Sequence, residues 1–547
     1  MWPFFSVVHH KNRTAYTMSE KDPLVGQSQQ GTSYDSSKST GDTDPGLTDN
    51  DLDHARLLLY LSHLFNQFSE QSWQFCVALF LAAFTNNTSL ILVTSYGLVT
   101  YSFVCFFGSS IGRYIDKSNR LAVARLLIGW ENFAVLTATF MCYILLSRDL
   151  DPTFSGSLYD TKSVVLLVSI HLLGAIAMIL DSGFLVAVER DWIVVMSIVA
   201  SKIKKSQGLS TKEEEVNTQK EWLSDTNVKM RQIDLSTKIL APAISGLYIA
   251  LLDDGKSENH GYNLRGAALM VGGVNVTALI VEYICTAKIY HQIPDLSLKS
   301  IDETQEAKES NEVDLSNKEK NEKDGTVGTT SKSKFLTDLE VYFSQSICWA
   351  GFALALLYLN VALSFGNIMT VYLVWRGIGL EEIGLWRGVS SAAGLLGTFV
   401  YHIMASRIQL VDVGMISVTF EFLCLAVCFG SLFVQDTNVF FIMLIAGVCF
   451  SRIGLWVFDI TVTQLMQLHI PPPVRGTVGG VQNSLNAFFT VIIYVVGLFI
   501  SDPENFKYYA SVSFAGVTLA AIFYCVMVFA RKAIFLPSKD DDNASSV

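Results

Sequence analysis

Residues 163–188 read SVVLLVSIHLLGAIAMILDSGFLVAV, a stretch in which apolar side chains follow one another almost without interruption. A helix needs about 20 mostly apolar residues to cross the hydrocarbon core of a bilayer. This stretch is therefore predicted to be a membrane-spanning helix. Because runs of the same kind recur along the chain, it sets the class of fold.

The apolar runs number about twelve and fall into two sets of six. The first set lies near 56–84, 89–112, 121–147, 163–188, 231–252 and 267–292, and the second near 345–375, 384–405, 409–434, 438–465, 476–500 and 506–532. A polar linker, 294–337, separates the two sets. This layout resembles the major facilitator superfamily and predicts an all-α membrane protein with two six-helix, pseudo-symmetric lobes.

Polar segments complete the predicted organisation of the chain. We expect a disordered tail over 1–55, a first lobe over 56–293, a disordered linker over 294–337, a second lobe over 338–533 and a tail over 534–547. Lys and Arg concentrate in the linker and in the loops on the same side of the predicted membrane. Both termini and the linker are therefore predicted to be cytoplasmic.

The composition of the chain agrees with a lipid environment and excludes other classes. Of its 547 residues 50% are hydrophobic and only 16% charged, with mean hydropathy +0.37, whereas soluble domains carry roughly 25% charged residues. No basic stripe indicates a nucleic-acid partner, and the nine cysteines show no C-x-x-C pair or zinc spacing. Neither a nucleophile–base constellation nor a nucleotide motif is present, so we expect neither an enzyme nor an ATP-driven pump.

The loop after the second run, GRYIDKSNR over 112–120, resembles the G-x-x-x-D-[RK]-x-x-R loop of the major facilitator superfamily. Gly112 permits close contact between helices. Asp116 with basic neighbours is predicted to form a cytoplasmic latch.

Polar side chains interrupt three spans of the first lobe, where they are costly and usually face a cavity or a partner. They are Asn66, Glu70 and Gln74 on one face of span one, Glu131 and Asn132 in span three, and Asn275 and Glu282 in span six. Oxygen ligands suit hard or borderline divalent cations. We therefore predict a cation site in the first lobe, the alternative being that neighbouring helices satisfy each group.

The polar residues of the second lobe suggest different roles. Arg452 and Asp459 lie seven residues apart in span ten and are predicted to form an internal ion pair. Gly366 with polar neighbours predicts an unwound segment in span seven. The residues predicted to line a passage at the start of span eleven are Gln482, Asn483, Ser484 and Asn486.

Segments spread over both lobes resemble the ferroportin family of ferrous-iron exporters. They include LLLYLSH at 57–63, RDWIVV at 190–195, RQID at 231–234, RIGLWVFDITVTQL at 452–465 and GVQNSLN at 480–486. The resemblance implies export of Fe²⁺ by alternating access with proton exchange. It also implies no resident cofactor beyond a regulatory Ca²⁺.

The resemblance assigns roles to particular positions. Glu70 stands where the family usually has an aspartate metal ligand, and Gln74 stands where animal members often have a histidine. The positions matching the family's calcium site are Glu131, Asn132, Asn275 and Glu282. The positions matching its cytoplasmic gate are Asp116, Arg120, Asp191, Asn227, Asp234 and Arg475.

The second lobe departs from the vertebrate pattern. Gly366 and Asn367 occupy the positions of an Asp-Cys pair, and Ile493 replaces a histidine. Asn367 is left as the candidate ligand of that lobe. Because the missing cysteine also serves recognition of the hormone hepcidin, hepcidin binding is not expected.

These features predict a monomeric exporter in the lipid bilayer of the plasma membrane, with a vacuolar or vesicular membrane as the alternative. Its expected partner is a divalent metal ion, with Fe²⁺ as the leading substrate. Two other functions stay open. One is export of Mn²⁺, Co²⁺, Ni²⁺ or Zn²⁺, and the other is a membrane sensor that binds Ca²⁺ or another metal without transporting it.

Overall fold

The structure is a computed structural model of the 547-residue chain. It describes residues 47–84, 91–147, 160–206, 211–251, 264–298, 334–499 and 503–535, with gaps at 366–368, 370–371, 374–375, 377 and 379. Regular structure in these ranges is helical, and none of their residues forms a β-strand. The all-α class predicted from the sequence is confirmed.

In the described residues the first lobe contains seven helices. They are α1 (Asp49–Phe84), α2 (Ile91–Lys117), α3 (Arg120–Leu146), α4 (Thr161–Ala187), α5 (Ile193–Ser206), α6 (Lys212–Leu251) and α7 (Leu264–Gln292). A π-helical turn, Val188–Trp192, joins α4 to α5 and makes one continuous helical run. A short 3₁₀ turn, Pro294–Leu296, follows α7.

The described part of the second lobe also contains seven helices. They are α8 (Lys334–Ser344), α9 (Cys348–Leu356), α10 (Leu380–Ala405), α11 (Leu410–Ser431), α12 (Thr437–His469), α13 (Arg475–Phe499) and α14 (Phe506–Phe535). Three short 3₁₀ turns accompany them: Leu357–Leu359, Pro472–Val474 and Pro503–Asn505.

Nine helical runs of the described chain are long and apolar enough to cross a membrane. A tenth arises if α8 and the Cys348–Leu359 helix, bent by 109°, count as one broken span. Helices α1 and α6, with 36 and 40 residues, extend about 54 and 60 Å at 1.5 Å per residue. Their polar residues keep them below that hydropathy level, so length and hydropathy support nine or ten of the twelve predicted spans.

Two helices begin earlier than the sequence predicted, because local caps extend them. Helix α1 begins at Asp49, where the Thr48 hydroxyl donates to the Asp51 carboxylate (2.7 Å) and accepts from the Asp51 amide (3.3 Å). These hydrogen bonds lower the pKa of Asp51. Helix α6 begins at Lys212 rather than near 231, with Thr211 and Glu214 forming a capping box.

The first helix of span seven ends in the 3₁₀ turn Leu357–Leu359. Gly366, where the sequence predicts an unwound segment, lies outside the described residues. Side chains from two other helices bond the backbone that the interruption frees. The Ser513 hydroxyl of α14 donates to the Leu359 carbonyl (2.7 Å) and accepts from the Ala362 amide (3.2 Å). Arg452 of α12 donates to the Leu363 carbonyl (3.3 Å). Irregular backbone at membrane depth requires such internal partners.

Large apolar side chains cover much of the outer surface. Phe106, Trp130, Phe140, Ile442 and Phe529 are each more than half exposed. A surface this apolar would be an aggregation liability in water. It is the surface expected of helices that face lipid.

Candidate functional site

Four carboxylates from four helices of the first lobe approach one another in its interior, and we call them the first-lobe carboxylate cluster. They are Glu70 of α1, Glu131 of α3, Asp181 of α4 and Glu282 of α7, each at most 8% exposed. Glu131 lies within electrostatic range of the other three. Amides surround the cluster, and the Asn66 amide donates to Asp181 (3.3 Å).

No basic side chain in the described ranges forms an ion pair with any member of this cluster. One carboxylate oxygen of Glu131, one of Glu282 and the amide oxygen of Asn275 are buried without a hydrogen-bond partner. Several unneutralised carboxylates inside a membrane protein repel one another and are costly. The cluster is therefore a site that cations or protons would stabilise.

The side chains of the cluster are near one another but are not closed around a metal. Within the described part of the chain, no three His, Cys, Asp or Glu side chains take up a metal-holding arrangement. Glu70 instead accepts a hydrogen bond from Gln74 (2.7 Å). Asn132 donates to the Ile128 carbonyl of its own helix (2.9 Å). The predicted ligand Asn367 lies outside the described residues.

The predicted calcium ligands fit a hard cation by their chemistry. Glu131, Asn132, Asn275 and Glu282 carry only oxygen acceptors, which Ca²⁺ prefers. Three of the four leave an acceptor oxygen unbonded in the interior. These residues would be the ones to hold the ion.

A central cavity of about 230 Å³ lies between the two lobes. Asp181 lines it and so connects the first-lobe carboxylate cluster to the passage. The other polar lining side chains are Tyr101, Ser182, Glu189, Arg190, Arg231, Tyr358, Asp459, Thr463, Asn483, Asn486 and Thr490. A cavity lined by both lobes near their middle is where facilitators hold substrate.

The predicted lining residues of span eleven divide into two groups. Asn483 and Asn486 line the cavity, and Asn483 donates to the Ser182 hydroxyl across the lobes (2.8 Å). Gln482 instead bonds Tyr342 and the Gly351 carbonyl. Ser484 donates to the Val104 carbonyl of α2 (3.3 Å).

One end of the bundle, where α2 ends and α13 begins, is closed by contacts between the lobes, and we call it the gate end. The Asp116 carboxylate of α2 accepts from the Gly476 and Thr477 amides, both at 2.6 Å, and from the Thr477 hydroxyl at 2.7 Å. Asp116 thus caps the N-terminus of α13 from the opposite lobe. A carboxylate is stabilised there by the free N–H groups and the helix dipole.

Backbone contact between α2 and α13 makes the latch possible. A Cβ atom on Gly112 would lie 2.1 Å from the Gly476 carbonyl oxygen, and one on Gly480 would lie 2.3 Å from the Gly108 carbonyl oxygen. No side chain fits in these spaces. The two helices therefore meet across the lobe boundary through glycines at successive turns.

The remaining predicted gate residues also gather at this end. Arg120 holds Asp191 with two hydrogen bonds (2.6 and 2.9 Å) and reaches the Leu296 carbonyl. Asn227 exchanges hydrogen bonds with Gln467 of the second lobe (2.7 and 3.1 Å). Arg475 donates to the Ile470 carbonyl (3.2 Å). The structure brings five of the six predicted gate residues to this end, although Arg120 and Asp191 pair within a single lobe, and the sixth, Asp234, contacts His63 and Arg231.

Arg231 of α6 bridges the lobes where the cavity meets the gate end. Its guanidinium contacts Asp234 of its own helix (2.7 Å) and Asp459 of α12 (2.8 Å), and lies 3.6 Å from Glu189. The predicted Arg452–Asp459 ion pair is therefore wrong. Asp459 faces a closer cation on α6, whereas Arg452 turns to the Leu363 carbonyl and toward Glu421.

Several functional residues were not predicted from the sequence. Asp181 is the one acidic residue of the run 163–188, and that isolation was the available signal. Arg113, which pairs with Asp338 of α8 across the lobes, looked like an ordinary basic loop residue. Glu421 is fully buried and neither of its oxygens has a hydrogen bond.

A two-lobed helical bundle with a central polar cavity and a latched end defines a multi-pass membrane protein of the secondary transporter class, not an enzyme. A solved structure of the proton:xylose symporter XylE shares the fold, with a TM-score of 0.55 and 11% identity, covering 87% of this chain and 95% of that one. The fold is the major facilitator fold.

Two further similarities define the family, and a third concerns the fold. The Ferroportin1 (FPN1) family model matches residues 53–211 and 215–517. "Solute carrier family 40 member 2" of Arabidopsis thaliana is 32% identical over 496 residues, covering 87% of this chain and 90% of that protein. An outward-facing bacterial homologue of the iron transporter ferroportin has a TM-score of 0.68 and 21% identity, covering 87% of this chain and 99% of that one. The chain belongs to the ferroportin family of metal transporters.

Proposed function

We propose that this protein exports Fe²⁺ from the cytosol by alternating access, in exchange for protons. The observation that carries the proposal is the first-lobe carboxylate cluster, whose members form no ion pair with a basic side chain of the described ranges. Such a group requires cations or protons to neutralise it. The bacterial relative that shares the fold is described as a homologue of an iron transporter, which supports iron as the cargo.

The route of the metal follows from the position of the cluster. Fe²⁺ enters the central cavity when the gate end is open to the cytosol and passes Asp181 at the cavity wall. Glu70, with Gln74 beside it, is the central ligand. The contact of Asp116 with α13 then closes the cytosolic side. Protons neutralise the carboxylates after the metal leaves.

The cellular setting follows from the same proposal. The gate end and both termini face the cytosol, and the protein works as a monomer in the plasma membrane, with a vacuolar or vesicular membrane as the alternative. Hepcidin does not regulate it, because Gly366, Asn367 and Ile493 replace the vertebrate residues of that site.

Efflux of ⁵⁵Fe²⁺ from cells or proteoliposomes tests the proposal, with Glu70→Ala as the variant. Loss of one charged ligand costs about 1.5–3 kcal/mol, so efflux should fall roughly 10- to 150-fold. Gln71→Ala, at the next position of α1, is the matched control and should export normally. Normal export by Glu70→Ala, with equal surface expression, would remove this residue from the mechanism.

Two alternatives have their own readouts. The oxygen-only ligand set also suits Mn²⁺, Co²⁺, Ni²⁺ or Zn²⁺, and stronger competition by one of these ions would identify it as the cargo. The unbonded oxygens of Glu131, Asn275 and Glu282 favour a Ca²⁺ site. Ca²⁺ binding that Glu282→Gln abolishes, without metal flux in the wild type, would support a sensor instead of an exporter.

A further inference from the structure

His63 is a buried titratable side chain of α1 that the proposed metal route does not use. It is 3% exposed, and its Nε2 lies 2.6 Å from an Asp234 carboxylate oxygen of α6. The second Asp234 oxygen accepts from Arg231, which in turn contacts Asp459 of the second lobe. His63 is therefore two contacts away from an ion pair that joins the lobes.

A small cavity of about 10 Å³ lies against the ring of His63. This volume holds about one water molecule. Ser62 and Thr286 are among the residues that line it, and the Ser62 hydroxyl has no hydrogen-bond partner among the described residues. The remaining lining side chains are apolar.

The cavity lies between the gate contacts and the first-lobe carboxylate cluster. Thr286 is one helical turn beyond Glu282, and its hydroxyl donates to the Glu282 carbonyl (2.6 Å). On one side of His63 is a helix that carries a proposed metal ligand. On the other is the Asp234–Arg231–Asp459 chain.

We propose that His63 is a proton-binding residue of the transport cycle and that its charge sets how firmly Arg231 holds the second lobe. The proposal rests on the proposed exchange of metal for protons. It identifies His63 as the residue that binds and releases the exchanged proton. The proton taken up in exchange for the metal binds the Nδ1 lone pair, while the proton on Nε2 stays in the hydrogen bond to Asp234. The ring becomes a cation, and no other bond changes.

The charge of His63 acts through competition for Asp234. When His63 is neutral, Asp234 holds Arg231 as its main cation. When His63 is charged, Asp234 is shared between two cations, and Arg231 shifts its interaction toward Asp459 and Glu189. Protonation therefore strengthens the bond between the lobes and favours the closed gate end. The charged groups near this pair are Arg231, Lys238, Glu189, Asp181, Arg190 and Asp459.

The variant His63→Gln separates a proton role from a structural one. Glutamine keeps an N–H donor for Asp234 but cannot take a proton near neutral pH. His171→Gln is the matched control, since His171 is also a partly buried histidine of the first lobe. Its contacts are neutral: the Leu167 and Leu92 carbonyls and the Ser95 hydroxyl.

Wild type and variants are reconstituted in vesicles, and Fe²⁺ flux and Fe²⁺-driven proton movement are measured from about pH 5.5 to 8, where histidines change charge. We expect His63→Gln to keep downhill Fe²⁺ flux within about threefold at one pH and to lose its pH dependence and most proton movement. His171→Gln should behave as the wild type. A His63→Gln variant with wild-type pH dependence and proton movement would overturn the proposal.

The outcomes also distinguish a failure of the His63 proposal from a failure of the proposed Fe²⁺ export. Absence of Fe²⁺ flux in folded wild-type protein refutes the proposed export. Flux without proton movement in the wild type leaves export standing and refutes the role of His63, and this readout needs no variant. If His63→Gln does not fold, the smaller His63→Asn tests the same loss of titration.

Discussion

The contact between α2 and α13 predicts a large effect for a single added methyl group. In Gly112→Ala the new Cβ would lie 2.1 Å from the carbonyl oxygen of Gly476 and 2.8 Å from its carbonyl carbon. Both atoms belong to backbone, so no side chain can turn away and the helices must separate. Overpacking of this kind costs about 1–3 kcal/mol.

The overpacking destabilises the conformation in which the gate end is closed, because only there do α2 and α13 meet at Gly112. At about 1.4 kcal/mol per tenfold change, the equilibrium should move roughly 5- to 150-fold toward the gate-open arrangement. A cysteine placed at Asn486, in the wall of the central cavity, reports the change. We expect a membrane-impermeant thiol reagent applied to the gate end to modify it faster in Gly112→Ala.

Gly129→Ala is the matched control for this measurement. Gly129 lies within α3 of the same lobe, and a Cβ there would meet nothing within 4 Å. Alanine at this position should leave accessibility unchanged and favour the helix by up to about 1 kcal/mol. Equal modification rates in the two alanine variants would refute the claim that glycine contact holds the gate end closed.

Two further substitutions test the latch and the broken span. Asp116→Asn removes the charge that caps α13, which should cost about 0.5–2 kcal/mol and raise thiol modification from the gate end. A rate equal to that of the wild type would contradict the latch. Ser513→Ala leaves the Ala362 amide without its side-chain acceptor and the Leu359 carbonyl with only the Val361 amide as donor. This should lower the free energy of unfolding by about 1–3 kcal/mol and lower Tm. Ser511→Ala, which loses only an exposed bond to Lys507, is its control, and an equal Tm would count against the role of Ser513.

Fold class was predictable from the sequence because hydropathy alone carries it. Runs such as 163–188 have no stable arrangement in water, and their number and grouping predict the bundle. The early starts of α1 and α6 could also have been predicted from the sequence. Thr48 with Asp51, and Thr211 with Glu214, are helix-start patterns that a search for apolar runs does not consider.

Partner choice among buried charges was less predictable. Helical periodicity places Arg452 and Asp459 on one face of α12, but it does not say which helix packs against that face. The structure places Arg231 beside Asp459 and leaves Arg452 near the backbone of span seven. Asp116 was predicted to be a latch residue from its basic neighbours, and in the structure it accepts hydrogen bonds from backbone amides of α13, which no sequence pattern names.

The Ser513 contacts have a consequence for how the chain is made. In span seven the Leu359 carbonyl and the Ala362 amide both bond a hydroxyl of α14, and that hydroxyl lies 154 residues beyond Leu359 in the chain. A ribosome adds about 5–20 residues per second, so many seconds pass before Ser513 emerges. During that interval the interrupted segment has neither of the Ser513 bonds. Span seven therefore reaches its final shape only after the last helix has been synthesised and has entered the membrane.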